Sequence, residues 1–302
     1  MSERIRVAYL GPEGTYTHQA AAAKFKNRAA YIPYESIAST FNSVCQDEVE
    51  YACIPLENSL HGSVIETLDL LRTDSNISII DECTIGIEHC LVGRRGVQLK
   101  DITRVLSHEQ ALGQCQEFLQ EYLPDAIRVK TSSTASAARQ LLQLDDSTPL
   151  HSAAICSRIC VDLYDRLEVL QSSIQDGQIN FTRFIIMSRI LLPSDLEPDV
   201  SRRALLRCIL PQTPSNPYLT LSQVVKALPN GIELARVDRR PSLSKEPFHD
   251  CTFLEIVCQE PLSPQTGDTQ QNWRDRIREL ERMVNEALSC ADFPCCCVLG
   301  AW

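Results

Sequence analysis

Four segments concentrate the side chains that could do chemistry. Gly11-Pro12-Glu13-Gly14-Thr15-Tyr16-Thr17-His18 follows a strand-like run and precedes an alanine-rich helical one. Its two glycines allow a tight turn and close approach of backbone to a ligand, and Thr15 or Thr17 is placed to cap the helix. The free N–H groups of a helix start suit a carboxylate, although an ordinary strand-to-helix turn would use the same residues. Pro55-Leu56-Glu57-Asn58-Ser59-Leu60-His61-Gly62 sets Glu57, Asn58 and Ser59 where a strand ends and a helix has not begun. Ligands of open α/β sheets collect at such strand ends. Asn58 and Ser59 could instead satisfy a turn, but a turn does not require Glu57. Ser107-His108-Glu109-Gln110, with Gln114 one turn later, reads as a capped helix start. His108 then lies in the first turn, where the helix dipole disfavours the imidazolium. Asn180-Phe181-Thr182-Arg183-Phe184 enters an isoleucine-rich strand, where Arg183 can grip an anion or close an edge-strand ion pair.

Elements that would position these residues follow from periodicity. Up to about residue 190, short apolar strands alternate with helical patterns, the signature of an α/β domain. Strands are expected at Ile5–Leu10, Tyr51–Leu56, Val105–Ser107, Ala153–Ile155 and Phe184–Ser188. Ser63-x-x-Glu66 and Ser107-x-x-Gln110 read as capping boxes. Behind the second, Ala111, Leu112, Cys115, Phe118 and Leu119 form one helix stripe. Pro193–Pro198 reads as a linker. Beyond it, Ala204–Leu210, Ile232–Asp238, Thr252–Val257 and Cys295–Leu299 read as strands, with helices over Pro217–Leu228 and Trp273–Leu288. That βαββαβ order is ferredoxin-like. The domains expected are 1–192, a linker over 193–201, and 202–302.

Composition narrows the partners. The chain has 302 residues and a formal net charge of -10, a field that repels nucleic acid and anionic membranes. An anionic substrate gains no long-range steering and must be held by local donors. No apolar run reaches the roughly 20 residues that span a bilayer. The first strand begins too early to leave room for a signal peptide, so a cytoplasmic protein is expected. The 14 cysteines are then buried free thiols. Cys156 and Cys160 could share a helix face, but no second ligand pair follows, so no metal is expected. Neither a phosphate-binding P-loop nor a G-x-G-x-x-G turn is present.

In combination and order the four segments resemble the prephenate dehydratase family. The resemblance lies at Gly11–His18, Pro55–Gly62, Ser107–Cys115 and Thr182–Phe184, and covers about residues 5 to 190. Ser133-Thr134 and Ile174-Gln175-Asp176 are similar to the family's linking segments. The resemblance implies two α/β lobes, like a periplasmic binding protein with a cleft between them, and a C-terminal ACT domain for regulation. It implies a carbon–oxygen lyase (hydro-lyase) that needs no cofactor and turns prephenate into phenylpyruvate. With the dehydratase motifs opening the chain, no chorismate mutase domain is expected in front.

The family's roles then carry over by position. The barrier lies in breaking the ring C–O bond before aromaticity is gained, so a donor is required at the leaving hydroxyl. Thr182 takes that place, relaying a proton from water or from His108. A cation at the departing carboxylate would stabilise charge that must vanish, so the neutral donors Asn58, Ser59, Ser107 and Gln114 suit that end. Arg183 suits the carboxylate that survives. Glu57 either stabilises positive charge in the ring or orients Asn58 or Arg183. Thr15, Ser133, Thr134 and Phe184 complete the expected substrate contacts. Arogenate dehydratase is the nearest alternative. A related prephenate decarboxylase is disfavoured by the intact Thr182-Arg183-Phe184, and an amino-acid sensor without activity has no use for Thr182, Glu57 and Asn58 together.

Regulation is where the sequence departs from the family. The usual N-P-G-A-L helix start reads Asn216-Pro217-Tyr218-Leu219-Thr220 here, and the usual E-S-R-P strand end reads Asp238-Arg239-Arg240-Pro241. Tyr218 and Leu219 put bulk where an effector needs close approach to a helix N-terminus. Asp238 and Arg240 still offer opposite charges to an amino acid. A homodimer or homotetramer with weakened or altered phenylalanine feedback is expected.

Overall fold

The computed structural model describes residues 4–73, 76–143, 151–177, 179–189, 202–209, 222, 224–226, 228–229, 231–243, 250–258, 270–287 and 296–302. In chain order the strands are β1 (Ile5–Leu10), β2 (Ala29–Tyr34), β3 (Tyr51–Asn58), β4 (Gly62–Ser63), β5 (Ser78–Gly86), β6 (Cys90–Arg94), β7 (Arg104–Ser107), β8 (Ile127–Lys130), β9 (Ser152–Cys156), β10 (Leu167–Gln171), β11 (Phe181–Ser188), β12 (Arg203–Ile209), β13 (Ile232–Pro241), β14 (Asp250–Cys258) and β15 (Cys296–Ala301). The helices are α1 (Tyr16–Phe25), α2 (Ile37–Cys45), α3 (Ile65–Leu70), α4 (Glu109–Gly113), α5 (Gln116–Tyr122), α6 (Thr134–Gln143), α7 (Ile159–Leu163) and α8 (Gln270–Ala287). Contacts gather them into two units, one of Met1–Thr40, Cys53–Gly62 and Thr84–Phe184, the other of Phe41–Ala52, Ser63–Cys83 and Ile185–Trp302.

In the first unit, β1 and β2 pair in parallel from Ile5↔Ala29 to Leu10↔Tyr34, joined through α1. Val7, Ala8 and Tyr9 are all buried, as consecutive residues of a parallel strand covered on both faces must be. Thr15 caps α1, its hydroxyl accepting the His18 N–H at 3.3 Å. A separate five-stranded sheet has the order β10-β6-β9-β7-β8. Its strands feed two cores by alternation: Val105, Ala153 and Ile155 pack with Leu112 and Leu119, whereas Leu106, Ala154 and Cys156 pack with Ala135, Ala138 and Leu141.

Three local expectations are corrected here. The stripe from Ala111 to Leu119 is broken at Gln114-Cys115 into α4 and α5, so the chain bends beside Gln114. Ser107 is not the cap of α4. It is fully buried and donates to the Ile155 carbonyl at 2.6 Å, and His108 takes the cap position, its Nδ1 accepting the Gln110 N–H. Cys156 ends β9 while Cys160 lies on α7, so they do not share a helix face. Every described cysteine is a free thiol, most of them buried.

In the second unit the order β13-β14-β12-β15 is antiparallel throughout, with β15 touching β5 in parallel at Gly300↔Ile79. A Cβ on Gly300 would collide with the Ile79 carbonyl, so only glycine permits that approach. Trp273, Ile277, Leu280 and Val284 of α8 pack as a stripe onto Leu206, Leu254 and Ile256. The expected cap at Ser63 is absent. Val64 occupies the cap position of α3 without a side-chain bond, and the Ser63 hydroxyl goes instead to Asp238 at 2.5 Å. The linker at 193–201, Leu288, Cys295 and the effector positions Asn216, Tyr218 and Leu219 lie outside the described residues. Among the described residues, no helix is long and apolar enough to cross a membrane.

Candidate active site

Adjacent ends of β3 and β11 place the central group. The Asn58 amide nitrogen lies 2.7 Å from Asn180 Oδ1, 3.1 Å from the Phe181 carbonyl and 2.9 Å from Thr182 Oγ1. Asn58 Oδ1 accepts the N–H groups of Leu60 and His61, which fixes the amide's orientation. Ser59 fastens the same turn, its N–H donating to the Phe181 carbonyl and its hydroxyl accepting the Phe181 N–H. Thr182 therefore accepts a hydrogen from Asn58, and among the described residues no acceptor takes its own proton. A hydroxyl that accepts from an amide is polarised toward donating outward.

Next along both strands, Arg183 Nη1 donates to Glu57 Oε2 at 3.0 Å. The two side chains are only 19% and 28% exposed, so this pair is shielded and orients both partners. Successive strand residues face opposite ways, so Glu57–Arg183 and Asn58–Thr182 form two cross-strand pairs on opposite faces. The ion-pair reading of Arg183 is thus met.

A cleft of about 460 Å³ opens in this unit, lined by Leu60, Gly113, Gln114, Glu117, Asp176 and Asn180 among others. Asn180 links it to Asn58, and Gln114 supplies a second amide. Gln114 Oε1 lies 2.8 Å from His89 Nε2, and His89 Nδ1 lies 3.0 Å from the Tyr16 hydroxyl. His89 is 3% exposed, and burial pushes its pKa below the ordinary histidine value. The bend between α4 and α5 that presents Gln114 is secured by Asp176. Its carboxylate accepts the N–H groups of Gln116 and Glu117, and its own N–H donates to the Gln114 carbonyl at 2.6 Å.

Other expected contacts are committed elsewhere. Ser107 spends its proton on Ile155, beneath the surface. His108 is exposed at the head of α4, and no hydrogen bond joins it to Thr182 among the described residues. Thr15 donates to the Leu10 carbonyl as well as capping α1. Ser133 accepts the Ser136 N–H at the head of α6, where Thr134 is the first helical residue. Phe184 is 2% exposed, so its ring belongs to the core and not to a ligand-facing surface. In the second unit, Asp238 and Arg240 are not free to meet a ligand. Asp238 pairs with Arg236 and accepts from Ser63, and Arg240 forks onto Asp69 at 2.6 and 2.9 Å. That fork holds the Asp69 carboxyl below its usual pKa.

The sequence reading missed His89, Tyr16 and the bonding role of Asn180. One signal was available for His89: a polar residue entering the wholly buried strand β6 must find a partner. Among the described residues, no three His, Cys, Asp or Glu side chains group as a metal site would require.

Fold and site together define a mixed α/β protein whose cleft sets the amides of Gln114 and Asn180 beside the carboxylates of Glu117 and Asp176. Residues 7–190 match the family model for prephenate dehydratase, and the chain belongs to that family. It is 33% identical over 244 residues to the bifunctional chorismate mutase/prephenate dehydratase of Pseudomonas aeruginosa, covering 81% of this chain and 63% of that one. It is 30% identical over 244 residues to the prephenate dehydratase of Bacillus subtilis, covering 79% of this chain and 84% of the relative. The chain thus spans under two thirds of the bifunctional relative's length. Among solved structures it is similar to the prephenate dehydratase of Arthrobacter aurescens in complex with L-Phe. That match has a TM-score of 0.75 and 30% identity, over 98% of this chain and 89% of that one. Two plant relatives, one named arogenate dehydratase/prephenate dehydratase and the other arogenate dehydratase, also match at 37% identity over 188 residues.

Proposed function

We propose that this chain is a prephenate dehydratase, converting prephenate to phenylpyruvate with loss of carbon dioxide and hydroxide. One observation carries the reading: Asn58 donates to Thr182 and leaves the Thr182 proton without an acceptor among the described residues. The bond that must break is the ring C–O bond, and its leaving oxygen needs a positioned hydrogen. Thr182 is too weak an acid to lose its proton outright at neutral pH, so it polarises the leaving hydroxyl while water supplies the net proton. The Asn58 amide is spent on Asn180, Phe181 and Thr182. Asn180 and Gln114, the amides that line the cleft, are neutral, which suits the carboxylate that departs as carbon dioxide. A fixed cation there would bind the ground state more tightly than the transition state. Glu57 holds Arg183 on the strand face opposite Thr182, where the pair steadies the two strand ends and does not grip the substrate that Thr182 meets.

Arogenate is the second reading, supported by the plant relatives. The two substrates differ in a keto or an ammonium group on the side chain. Residues 1–192 form the dehydratase domain and 202–302 an ACT-like regulatory domain of a homo-oligomer, a reading supported by the antiparallel order of β12 to β15. An amino-acid effector is supported by the L-Phe complex of the Arthrobacter relative. It would have to displace the Ser63 and Asp69 partners of Asp238 and Arg240. The test is to supply prephenate and arogenate separately and follow phenylpyruvate by its ultraviolet absorbance and phenylalanine by amino-acid analysis. Phenylpyruvate formed at the higher kcat/KM supports the reading, and turnover of arogenate alone replaces it.

A further inference from the structure

In the second unit, α8 meets the backbone of β15 with a row of polar side chains. Asn285 exchanges hydrogen bonds with the Cys296 N–H and carbonyl at 2.8 and 2.9 Å. Glu281 Oε1 accepts the Val298 N–H at 3.1 Å, and Arg274 Nε donates to the Ala301 carbonyl at 3.1 Å. With Arg278 these residues form one helix stripe, at i, i+4, i+7 and i+11. Arg278 alone of the four has no bond to β15 among the described residues, and leans instead on Asp275 of its own helix at 3.4 Å. The strand between Val298 and Ala301 includes Gly300, which the Ile79 carbonyl holds to glycine, so that point carries no side chain. A cavity of about 210 Å³ lies here, lined by Ser78, Arg274, Arg278, Glu281 and Gly300 among others.

The lining carries an excess of positive charge. Arg274 spends its Nε–H on Ala301, and its Nη1 is buried with no acceptor among the described residues. Burial, and after it the charge of Arg278, lowers the Arg274 pKa from the ordinary arginine value, so the two guanidiniums stand near each other with their repulsion unrelieved. Both remain charged, because arginine keeps its proton in proteins. Elsewhere on the same helix the charge is answered: Arg282 pairs with both Glu279 and Glu286. In the cavity Glu281 offsets one of two cations, which leaves room for a monoanion and disfavours a dianion. A half-buried cation short of acceptors is costly, and an entering anion relieves that cost. Guanidinium forks match a planar carboxylate better than a spherical ion.

We propose that the cavity between α8, β15 and the start of β5 is a binding site for a small monocarboxylate, gripped by Arg274 and Arg278. Arg274 is held ready for it by Ala301 and by the neighbouring Trp273, whose indole N–H donates to the Arg203 carbonyl at 3.1 Å. None of these residues belongs to the Asn58–Thr182 group, to the cleft at Gln114 or to the effector positions Asp238 and Arg240. The site therefore stands independently of the dehydratase reading.

Sodium butyrate is the probe, titrated in exchange for sodium chloride at constant ionic strength into protein labelled with ¹⁵N-arginine. The Arg274 Nε–H signal, held by the Ala301 carbonyl and assigned by its loss in Arg274→Lys, should shift and saturate. A Kd of about 1 mM or tighter is expected, the scale of two charge-assisted hydrogen bonds. Arg278 is 57% exposed and bonded only to Asp275 among the described residues, so Arg278→Gln leaves the fold intact. It should raise the Kd read from the Arg274 signal about tenfold or more. Arg282→Gln removes the same charge from the same helix outside the cavity and should leave that Kd within about twofold. An Arg274 signal that stays in place as butyrate replaces chloride would overturn the proposal. So would a Kd equal in the wild type and Arg278→Gln.

Discussion

Replacing Asn58 by aspartate tests the centre of the site with almost no change in shape. The substitution keeps Oδ1, so the bonds from Leu60 and His61 persist. It turns the amide nitrogen into an oxygen facing Asn180 Oδ1, the Phe181 carbonyl and Thr182 Oγ1, at 2.7, 3.1 and 2.9 Å. Asn180 can answer by rotating its amide, and the Phe181 carbonyl cannot. Thr182 can answer only by turning its proton inward to the new carboxylate, away from the substrate. Loss of one positioned proton donor lowers kcat by roughly 10²–10⁴. Setting a partly buried carboxylate against the Phe181 carbonyl, which keeps its bond from the Ser59 N–H, costs about 1–3 kcal/mol of stability. Turnover at saturating prephenate, corrected for the folded fraction from thermal denaturation, measures both. Some activity should return as pH falls and Asn58→Asp regains a hydrogen to donate. A variant whose kcat stays within about threefold of wild type would refute the geometry argued for Thr182.

Three further outcomes follow from the described contacts. Arg183→Lys keeps the charge beside Glu57 but loses the planar fork, so the melting temperature should fall while KM for prephenate holds; a severalfold rise in KM at unchanged stability would place Arg183 on the substrate instead. Ser107→Ala removes a buried hydrogen bond to the Ile155 carbonyl and should cost about 1 kcal/mol in denaturant unfolding, whereas an unchanged midpoint would deny the bond its structural role. Acid should weaken the fold through His18 and His89, whose pKa values burial holds below the ordinary histidine value. Between the folded and unfolded values the unfolded chain binds more protons. Stability is therefore present above about pH 6.5 and is lost as pH falls from there through the folded values. Melting temperatures across that range should slope less in His18→Gln and His89→Gln, and an equal slope in both would contradict the assignment.

Much of the site was legible because its residues are local in sequence. Pro55–Gly62 and Asn180–Phe184 each hold a complete half of the Asn58–Thr182 group, and strand period alone separates Thr182 from Arg183. What sequence could not supply were partnerships at long range. Nothing near Ser107 reveals that Ile155 takes its proton, so the cap reading prevailed over a buried cross-strand bond. Asp238 and Arg240 looked available because Ser63 and Asp69 stand far from them in the chain. Likewise Ala111 to Leu119 has the periodicity of one helix. The bend at Gln114 depends on Asp176, some sixty residues on, which caps the second helix. β2, β4, β5, β6, β8 and β10 were not expected as strands: β4 and β8 are short, β6 is fully buried, and β2 and β5 mix burial without a clean alternation.

The central claim is that Thr182 delivers a hydrogen to the leaving hydroxyl of prephenate, and one comparison tests it directly. Phenylpyruvate formation at saturating prephenate should be measured for the wild type, Thr182→Ser and Thr182→Val. Valine keeps the volume and removes the hydroxyl, so kcat should fall by roughly 10²–10⁴ while KM changes little. Serine keeps the donor and should stay within about tenfold of wild type. A Thr182→Val protein that turns prephenate over at the wild-type rate would contradict the account.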